Sequence, residues 1–414
     1  MIAEVIIQSN VKNLNKIFDY EIPYEIEDKI NIGSRVFVPL GNMKKLENGF
    51  VVGIKPFSEY KVREIASLQG ENILDNEKIE LAKWMARRYF CNISDCLKLM
   101  LPPGTANKDI EKRAKEKNVN FITLKKDIEY IKFAIESKKI KSEKQIRALE
   151  FIMNNGDSLV LDLEVQADVS RAIINTLCKN GYLEIIQKQV ERDPFKNKNI
   201  EKSVNLKFTD EQQNAYDTIC NAMDDMLFSE FLIDGVTGCG KTEIYIQLID
   251  KVLKEGKTSI VLVPEISLTP QTVNRFISRF GKENIAVLHS KLGVGERYDQ
   301  WYKIKNGEAK IIIGARSAIF APVENLGIII IDEEHDSSYK AEGVPRYDAK
   351  EVARKIAKKN NIPLVLGSAT PDFTSYFRAK NEEITLLKLT KRANEASLPD
   401  IEVVDLREEL AKRK

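Results

Sequence analysis

Histidine and cysteine are scarce in this sequence. Its 414 residues include 2 histidines and 5 cysteines, and no two cysteines form a C-x-x-C pair. A structural zinc site built from paired cysteines or several histidines is therefore not expected. The odd number of cysteines also argues against a disulfide framework and predicts reduced thiols, as in a cytosol.

Net charge and long apolar runs are lacking as well. The 64 Lys and Arg residues nearly balance 62 Asp and Glu residues, so the formal net charge is only +2. No run approaches the roughly 20 apolar residues of a membrane helix, and the first residues lack the basic start and apolar core of a signal peptide. Hydrophobic residues make up 43% of the chain, enough for ordinary buried cores. We therefore expect a soluble, cytoplasmic protein of about two or three domains.

The beginning of the chain has the pattern of a small β-rich domain. Residues 2–60 alternate apolar and polar residues in short runs separated by Gly and Pro, which is typical of antiparallel strands. Residues 76–100 change to a helical period, and a Pro-Pro-Gly sequence ends the unit at Gly104. We expect the first domain to cover residues 1–105.

A basic stretch and a short helical unit follow. Residues 106–147 contain 13 Lys and Arg against 7 Asp and Glu, which predicts either a flexible linker or a solvated helical face. Helical periods at 142–154 and 169–180, followed by a strand-like run, indicate a winged helix within 106–187. Winged helices bind nucleic acid or contact other proteins, and both remain open. Residues 188–205 are polar and predict a linker.

The remainder of the chain, residues 206–414, has the sequence pattern of an α/β domain. Continuous apolar runs alternate with helical stretches, which predicts a mainly parallel sheet covered on both faces. We therefore expect a multidomain α/β protein. The predicted strands are Phe231 to Ile233, Ser259 to Val263, Ile285 to Leu288, Lys310 to Ile313, Ile328 to Ile331 and Pro363 to Leu366.

The most specific motif follows the first of these strands. It satisfies G-x-x-x-x-G-K-[ST] between a predicted strand and a predicted helix, as a phosphate-binding loop requires. Its glycines let backbone N–H groups face a phosphate, and the helix N-terminus adds partial positive charge. Lys241 would neutralise β/γ-phosphate charge, and the Thr242 hydroxyl would ligate Mg²⁺. The predicted nucleotide-binding residues of the loop are Gly235, Val236, Thr237, Gly238, Cys239, Gly240, Lys241 and Thr242.

A metal-binding carboxylate is predicted where another apolar run ends. Asp332 and Glu333 follow Ile331 directly. An unpaired carboxylate at a buried strand is costly, and Mg²⁺ offsets that cost. We predict Asp332 as a metal ligand and Glu333 as the general base that polarises the attacking water. His335 is either a residue that couples the motifs or a capping histidine at the edge of the core.

Four further segments carry a resemblance to a known family. They are VLVPEISLTPQ (261–271), IIIGARSAIFAP (311–322), IIIIDEEHDSSYK (328–340) and VLGSATPD (365–372), in that order after the loop. Their order and spacing resemble the first lobe of superfamily 2 helicases. Together with the loop they are similar to the PriA family (primosomal protein N′) of replication-restart helicases, over essentially the whole chain.

This resemblance implies a fold, an activity and partners. The implied fold is a β-rich DNA-binding domain, a winged helix and one RecA-like lobe. The implied activity is that of an ATP-dependent 3′→5′ DNA helicase that uses ATP and Mg²⁺, recognises branched or forked DNA with a 3′ end, and initiates primosome assembly. Implied partners are primosome proteins and single-stranded DNA-binding protein, without a membrane.

The resemblance also implies roles for individual residues. Phe208, Glu211 and Gln212 match the segment that contacts the adenine. Ser368, Ala369 and Thr370 match the motif that couples phosphate sensing to strand movement, with His335 nearby. The residues implied to contact DNA phosphates or bases are Pro264, Glu265, Thr269, Gly314, Arg316, Ser317, Tyr339, Arg346 and Tyr347. Contacts to the DNA backbone would suit a motor, because they carry no sequence preference.

A pocket for a free 3′ end is implied in the first domain. Phe18, Asp19, Tyr20, Gly41 and Lys61 occupy the matching positions. An Asp that accepts the 3′-hydroxyl proton beside an aromatic ring would discriminate against a 3′-phosphate by charge repulsion. The alternative is that Phe18 and Tyr20 are alternating strand residues of a small core.

The family pattern also includes a second motor lobe and a cysteine-rich zinc region. Their motifs do not occur in these 414 residues. We therefore expect an N-terminal fragment that binds DNA and ATP but barely hydrolyses ATP, with zinc only in the missing part. Two other classes remain open: a non-motor P-loop ATPase, which leaves PEISLTPQ and GSATP unexplained, and a fork-binding module with an inert ATPase lobe.

Overall fold

The computed structural model of the chain describes residues 1–8, 15–41, 46–70, 73–103, 118–140, 142–160, 163–164, 167–189 and 202–393. The chain divides into two compact units. The first comprises Met1–Ala106, Phe195–Gly293 and Gln300–Lys414, and the second comprises Asn107–Pro194 and Val294–Asp299. Within the described ranges, no helix is both long and apolar enough to cross a bilayer.

A mainly antiparallel sheet opens the first unit. Its strands are β1 (Ile2–Ile7), β2 (Ile17–Glu21), β3 (Arg35–Pro39), β4 (Leu46–Lys55), β5 (Arg63–Glu64) and β6 (Ser67–Leu68). They lie in the order β5-β2-β1-β4-β3-β6. Because side chains alternate along a strand, Ala3, Val5 and Ile7 enter one apolar cluster while Ile6 enters another. Both faces of β1 are therefore buried.

Two helices pack against this sheet. They are α1 (Asn76–Arg88) and α2 (Ile93–Leu99). The Asp75 side chain caps α1 by accepting a hydrogen bond from the Lys78 backbone N–H at 2.8 Å. Ile79 and Met85 on the buried side of α1 share one apolar cluster with Ile6 of the sheet and with residues of the parallel sheet described below. The core of the first unit thus runs continuously through α1.

Among its described residues, the second unit includes three helices and a small sheet. Its elements are β7 (Asn118–Leu124), α3 (Ile128–Glu136), α4 (Glu143–Asn155), β8 (Ser158–Leu159), α5 (Arg171–Lys179) and β9 (Leu183–Gln189). β7 pairs antiparallel with both β8 and β9. Ile131, Leu149 and Ile174, one from each helix, are fully buried in its core. This is the arrangement of a winged helix.

Part of the basic stretch, predicted as linker or solvated face, belongs to this core. β7 and α3 lie within it, and Ile122, Ile131 and Ala134 are buried. The described lysines Lys125, Lys126 and Lys132 are exposed. The helix α3 fits the alternative of a solvated helical face, whereas the strand β7 was not predicted. Residues 106–117 and 141 of the stretch and most of the predicted 188–205 linker lie outside the described residues.

A seven-stranded sheet occupies the rest of the first unit among the described residues. Its strands are β10 (Glu230–Gly235), β11 (Thr258–Leu262), β12 (Ile285–Leu288), β13 (Ile311–Gly314), β14 (Leu326–Ile331), β15 (Leu364–Ser368) and β16 (Thr385–Leu389). The order is β12-β13-β11-β14-β15-β10-β16, and every pairing is parallel. Ile328 and Ile330 enter one core cluster while Ile329 and Ile331 enter the other, so both faces are covered.

Helices cover the two faces of this sheet. They are α6 (Asp210–Asp224), α7 (Lys241–Lys254), α8 (Pro270–Phe280), α9 (Val294–Lys305), α10 (Ala349–Asn360) and α11 (Phe373–Lys380). Side chains that accept a backbone N–H bond begin four of them, from Thr209, Thr269, Asp348 and Asp372. Such caps satisfy N–H groups that have no partner within the helix.

The predicted fold class is confirmed. All six strands predicted in the α/β region are present, with small differences at their ends. β16 was not predicted, because Lys388 and the exposed Thr385 break its apolar run; it lies at the sheet edge, where one neighbour, β10, suffices.

Candidate functional site

The predicted motor motifs all follow the carboxyl ends of parallel strands. The phosphate loop follows β10, Asp332 follows β14, and Thr370 lies just beyond β15. The segment of Pro264 and Glu265 follows β11, and that of Arg316 follows β13. Because the strands are parallel, these segments lie along one edge of the sheet, where open α/β sheets bind ligands. The strand order puts the predicted nucleotide residues on β14, β15 and β10, and the predicted DNA residues beside them on β11 and β13.

The phosphate loop joins β10 to α7 through backbone conformations that favour glycine. Gly238 and Gly240 have φ values of +82° and +86°. A Cβ at Gly240 would also lie 2.3 Å from Gln212 Nε2. The Lys241 ammonium donates to the Gly235 carbonyl at 2.7 Å, and the residue is only 8% exposed. The loop therefore surrounds a lysine charge at the N-terminus of a 14-residue helix.

Asp332 lies in a largely apolar setting. Its Oδ1 accepts a hydrogen bond from the buried Tyr245 hydroxyl at 3.2 Å, and its backbone N–H donates to the Leu262 carbonyl at 2.9 Å. Burial raises the pKa of the Asp332 carboxyl, and the charge of Glu333 adds to this effect, while the Lys241 charge opposes it. A carboxylate in this position gains from a nearby cation.

His335 and Ser368, predicted as coupling residues, are in contact. His335 Nδ1 lies 2.7 Å from Ser368 Oγ and 3.6 Å from Glu333 Oε2. Ser368 Oγ also accepts the Thr370 backbone N–H at 3.0 Å. The structure thus brings the end of β15 within reach of the predicted general base. His335 is exposed, and its ring contacts both of these side chains.

Glu334, which the sequence analysis gave no role, is fully buried. Its carboxylate pairs with the Lys350 ammonium at 2.8 Å and accepts bonds from the Asp372 backbone N–H at 2.7 Å and the Ser375 hydroxyl at 2.9 Å. Lys350 also pairs with the Asp372 carboxylate. Glu334 therefore anchors the segment after β14 to α10 and α11. The only sequence signal was a third acidic residue after a buried strand, with its partners far along the chain.

Gln212, predicted to contact adenine, is 5% exposed and holds the phosphate loop in this structure. Its Oε1 accepts the Thr209 backbone N–H at 2.9 Å, and its Nε2 donates to the Cys239 carbonyl at 2.7 Å. The structure therefore assigns it a supporting contact rather than an exposed one. Glu211 accepts a hydrogen bond from the Thr390 backbone N–H at 2.7 Å, and the Phe208 ring packs 5.3 Å from Tyr216.

Tyr339 and Tyr347, which were predicted to contact DNA, are buried in this conformation, so that prediction is wrong for them. They are 1% and 4% exposed. The Tyr339 hydroxyl donates to the Leu262 and Asp332 carbonyls, and the Tyr347 ring packs edge-on 5.1 Å from Phe320. Both rings lie in the apolar core beneath the segment, so no base can reach their faces. Arg346, in contrast, is exposed.

The predicted phosphate-contacting residues differ in their exposure and in the partners that they already contact. Arg316 is partly buried, donates to the Ser338 carbonyl at 3.0 Å and lies 5.6 Å from the Tyr347 ring. Thr269 is exposed and caps α8, and Ser317 is exposed. The remaining predicted positions are the buried Pro264, the partly exposed Glu265, whose carboxylate accepts from Ser290, and Gly314, where a Cβ would lie 2.4 Å from the Leu288 carbonyl.

The residues predicted as a 3′-end pocket separate into core and surface. Tyr20 is 4% exposed and donates to the Pro39 carbonyl at 3.0 Å, so its predicted place in the 3′-end pocket is wrong and the core alternative applies to it. Phe18 is partly buried, with the Lys16 ammonium 5.2 Å from its ring. Gly41 and Lys61 are exposed, and the Gly41 carbonyl accepts from Arg63.

Asp19 has two partners that the sequence analysis missed. Lys55 lies 2.7 Å from its carboxylate, and the Ser58 hydroxyl donates to it. Burial alone would raise the pKa of Asp19, but these two hydrogen bonds outweigh it and the pKa is lowered. Lys55 and Ser58 lie 36 and 39 residues from Asp19, and only the sheet brings them together.

Comparison with known proteins identifies the family. The chain is 38% identical over 469 residues to the replication restart protein PriA of Bacillus subtilis (strain 168), covering 99% of this chain and 58% of that protein. It is 36% identical over 423 residues to PriA of Chlamydia muridarum, covering 99% of this chain and 54% of that protein. The chain belongs to the PriA family.

Two family models match parts of this PriA-family chain. The model described as the 3′DNA-binding domain of PriA matches residues 4–102, and the model described as the Type III restriction enzyme res subunit matches residues 205–373. The first match covers the amino-terminal sheet with α1 and α2, and the second covers most of the parallel sheet. The chain spans between half and three-fifths of the length of these curated PriA relatives.

A solved structure resembles the chain at the level of fold. It is described as RecG bound to a three-way DNA junction, with 23% identity, a TM-score of 0.33, and coverage of 45% of this chain and 24% of that one. A likeness this distant supports no functional conclusion. Within the described residues there is also no cluster of three or more His, Cys, Asp or Glu side chains that could hold a metal.

Proposed function

We propose that this PriA-family chain is the DNA-binding and ATP-binding part of a 3′→5′ DNA helicase that acts at branched replication forks and initiates primosome assembly. The observation that carries the proposal is the arrangement of Lys241, Asp332, Glu333, His335 and Ser368 along one sheet edge beside the predicted DNA residues. The alternative, a non-motor P-loop ATPase, leaves the segments PEISLTPQ and GSATP unexplained.

The nucleotide site suits ATP with Mg²⁺. The loop amides and the Lys241 ammonium would hold the phosphates, and Thr242 with Asp332 would supply oxygen ligands to Mg²⁺. The donor set fits this ion, since Mg²⁺ prefers oxygen and is commonly bound by one or two protein groups together with substrate phosphates. The metal would neutralise charge on the phosphates. The raised pKa of Asp332 is consistent with a carboxyl whose ionised form requires a cation.

Glu333 is the group proposed to orient and deprotonate the attacking water. Its backbone has a positive φ of +45°, an unusual conformation for a non-glycine residue that strains the chain next to Asp332. His335, between the Glu333 and Ser368 side chains, would sense changes at the phosphate and transmit them to Thr370. Both roles position reacting groups, and positioning is a large part of how proteins catalyse phosphoryl transfer.

The proposed DNA contacts come from three places. Asp19, with Lys55 and Ser58 beside it, would accept a 3′-hydroxyl proton, and the partly buried Phe18 would contact the terminal base. The winged helix would contact the duplex. Exposed Thr269, Ser317 and Arg346 would contact the strand that the motor translocates. Primosome proteins and single-stranded DNA-binding protein are the proposed partners, and the cytoplasm is the proposed location.

Fluorescence anisotropy on matched forked DNAs tests this proposal. One fork ends in a 3′-hydroxyl at the branch and a second ends in a 3′-phosphate, with linear duplex as control at fixed salt. We expect tighter binding to the hydroxyl fork, because a phosphate would face the Asp19 carboxylate. An Asp19→Asn variant should lose this discrimination. Equal binding to all three DNAs would contradict the proposed 3′-end pocket.

Nucleotide binding distinguishes the motor from its alternatives. A Lys241→Ala variant should lose Mg²⁺–ATP binding while keeping its fork affinity, if the two sites are separate modules. Loss of fork affinity in that variant would contradict the modular arrangement. Fork binding with no detectable ATP binding by the unaltered chain would instead indicate an inert ATPase lobe.

A further inference from the structure

The first turn of α10 touches three functional segments of the first unit at once. Consecutive positions from Asp348 to Glu351 contact α1 of the amino-terminal domain, the acidic segment after β14, and the segment from Tyr339 to Tyr347. No other helix of the described chain is bonded to Glu334 and to the amino-terminal domain together. This turn therefore lies where the proposed DNA pocket's domain meets the proposed nucleotide site.

The contact with the amino-terminal domain is a bidentate ion pair. Arg88, the last residue of α1, donates to both carboxylate oxygens of Glu351, at 2.7 Å and 3.1 Å. The Tyr89 hydroxyl donates to the same carboxylate at 3.0 Å. Burial would raise the pKa of Glu351, but the hydrogen bonds from Arg88 and Tyr89 lower it. A charged carboxylate thus joins α1 to α10.

The contact with the nucleotide site begins one residue earlier. Lys350 bonds to the buried Glu334 at 2.8 Å, and Glu334 is flanked by the proposed general base Glu333 and by His335. The Glu334 backbone N–H donates to the Gly367 carbonyl at 3.0 Å, next to Ser368. A displacement of Lys350 would therefore move Glu334 and, with it, the neighbouring residues that are proposed to sense phosphate.

The third contact is with the segment that carries Arg346. Asp348 caps α10 through the Lys350 backbone N–H at 2.8 Å and pairs through its backbone with Lys340. Arg316, a proposed DNA contact, donates to the carbonyls on either side of Tyr339. The same turn thus also positions residues on the proposed DNA side of the sheet edge.

The ion pair between Arg88 of α1 and Glu351 of α10, which we call the joint, is the part of this assembly that can break most easily. Arg88 and Glu351 are 54% and 30% exposed, so their ion pair can break at little cost, whereas Glu334 is fully buried. A cavity of about 580 Å³, lined by Trp84 of α1, Ile356 of α10 and Ile319 among others, lies between these two helices. The two helices are therefore not packed tightly against each other along their whole length.

We propose that Glu351 is a positioning residue that couples 3′-end binding by the amino-terminal domain to the nucleotide site, through Arg88 and Tyr89 on one side and Lys350 with Glu334 on the other. This inference rests on the proposed function, because it presupposes both binding sites. Coupling between two sites is reciprocal in binding free energy, so it can be measured without turnover.

The test measures the affinity of a fluorescent, non-hydrolysable ATP analogue with Mg²⁺ in the presence and absence of saturating fork. In the unaltered chain, the 3′-hydroxyl fork should change the nucleotide dissociation constant at least about fivefold, and the 3′-phosphate fork should change it less. In Glu351→Gln the factor should fall below about twofold, with each separate affinity unchanged. A purely structural role would lower the separate affinities instead.

Two further variants sharpen the result. Arg88→Ala should reproduce the loss, and combining it with Glu351→Gln should add nothing, as expected for two residues of one joint. Lys359→Ala removes the pair with Glu77 at the other end of the same helices, 3.3 Å apart, and should keep the full coupling factor.

The outcomes separate the inference from the proposed function. An unaltered chain that binds both ligands without coupling would overturn the inference alone, as would undiminished coupling in both Glu351→Gln and Arg88→Ala. An unaltered chain that binds neither fork nor nucleotide would overturn the proposed function and, with it, the inference.

Discussion

Asp332, Glu333 and Glu334 are adjacent acidic residues with three different environments. Asp332 is largely buried with a raised pKa and a Tyr245 hydroxyl on its Oδ1. Glu333 has a positive φ and lies near His335, and Glu334 is buried in an ion pair with Lys350. Chemically similar side chains thus serve as a proposed ligand, base and anchor because neighbouring elements surround each one differently.

Gly367, between these acids and α7, has no room for a side chain. A Cβ there would lie 1.7 Å from the Tyr245 hydroxyl and 3.6 Å from Asp332 Oδ1. We expect Gly367→Ala to destabilise the protein by about 1–3 kcal/mol through overpacking and to weaken Mg²⁺–ATP binding by displacing Tyr245. Chemical denaturation and nucleotide titration measure the two effects.

Gly343→Ala is the matched control for this substitution. No heavy atom lies within 4 Å of a Cβ at Gly343. Its stability should change by no more than about 0.5 kcal/mol. Equal behaviour of the two variants would show that the contact between Gly367 and Tyr245 is not tight.

A second test asks whether Gln212 supports the phosphate loop or recognises the adenine base. If it supports the loop through the Cys239 carbonyl, Gln212→Ala should weaken ATP and GTP binding by the same factor, about three- to tenfold for one hydrogen bond. Isothermal titration with both nucleotides measures this. Gln213→Ala, which removes only a surface bond to Asp217 at 2.9 Å, should have no effect. A loss confined to ATP would restore adenine contact as the role of Gln212.

Among the secondary-structure elements, two helices are bonded to β10 of the parallel sheet through one buried carboxylate. Glu230 of β10 is 5% exposed and receives two hydrogen bonds from Arg354 of α10 and two from Arg378 of α11, all between 2.8 and 2.9 Å. The carboxylate is thus saturated by donors from both helices. Its loss should loosen α10 and α11 together.

This arrangement predicts a pH dependence of stability. Burial would raise the pKa of Glu230, but the arginine hydrogen bonds outweigh it and hold the pKa below the ordinary 4.5. Because the folded-state pKa is lower than that of the unfolded chain, the stabilisation is fully present above about pH 4.5 and is lost as the pH falls through the folded-state value. Urea unfolding of the unaltered chain and Glu230→Gln between pH 7 and 3 measures the difference.

Glu230→Gln should cost about 2–3 kcal/mol at pH 7, less than for a wholly buried pair because both arginines are partly exposed. The cost should shrink as the pH falls, since the unaltered carboxyl then becomes protonated. Glu383→Gln, which removes an exposed partner of Arg378 at 3.2 Å, is the control and should change stability little. A pH-independent cost would contradict the assignment.

In the whole molecule, the proposed nucleotide site consists of Lys241, Thr242, Asp332 and Glu333 at one edge of the parallel sheet. In phosphoryl transfer an arginine that stabilises transition-state charge is worth about 10³–10⁵ in turnover, and this proposed set of residues contains none. We therefore expect the purified chain to bind Mg²⁺–ATP but to release phosphate near background, even with saturating fork. Phosphate release by the purified chain measures this, with Glu333→Gln as the background control. Appreciable DNA-stimulated turnover would contradict it.

Most of the fold could be predicted from local pattern. Strand and helix periods identify the six predicted strands of the parallel sheet, and the loop motif lies where its strand and helix require. A solvated helical face was one of two alternatives for the basic stretch, and α3 lies there. Local pattern did not predict β7, where lysines in the segment raised its net charge, or the edge strand β16. These elements are stabilised by tertiary pairing more than by their own composition.

Residues close together in the chain suffice to locate the phosphate loop, the carboxylates after β14 and the order of the motor segments. Which aromatic rings are buried, and which partners the acidic residues have, depends on how distant segments pack. Tyr20 and Tyr339 lie in the core, Asp19 meets Lys55, and Arg88 meets Glu351 across 263 residues. The physical reason is that burial and ion pairing depend on which distant segments pack together, and no short stretch of sequence records its neighbours across the fold.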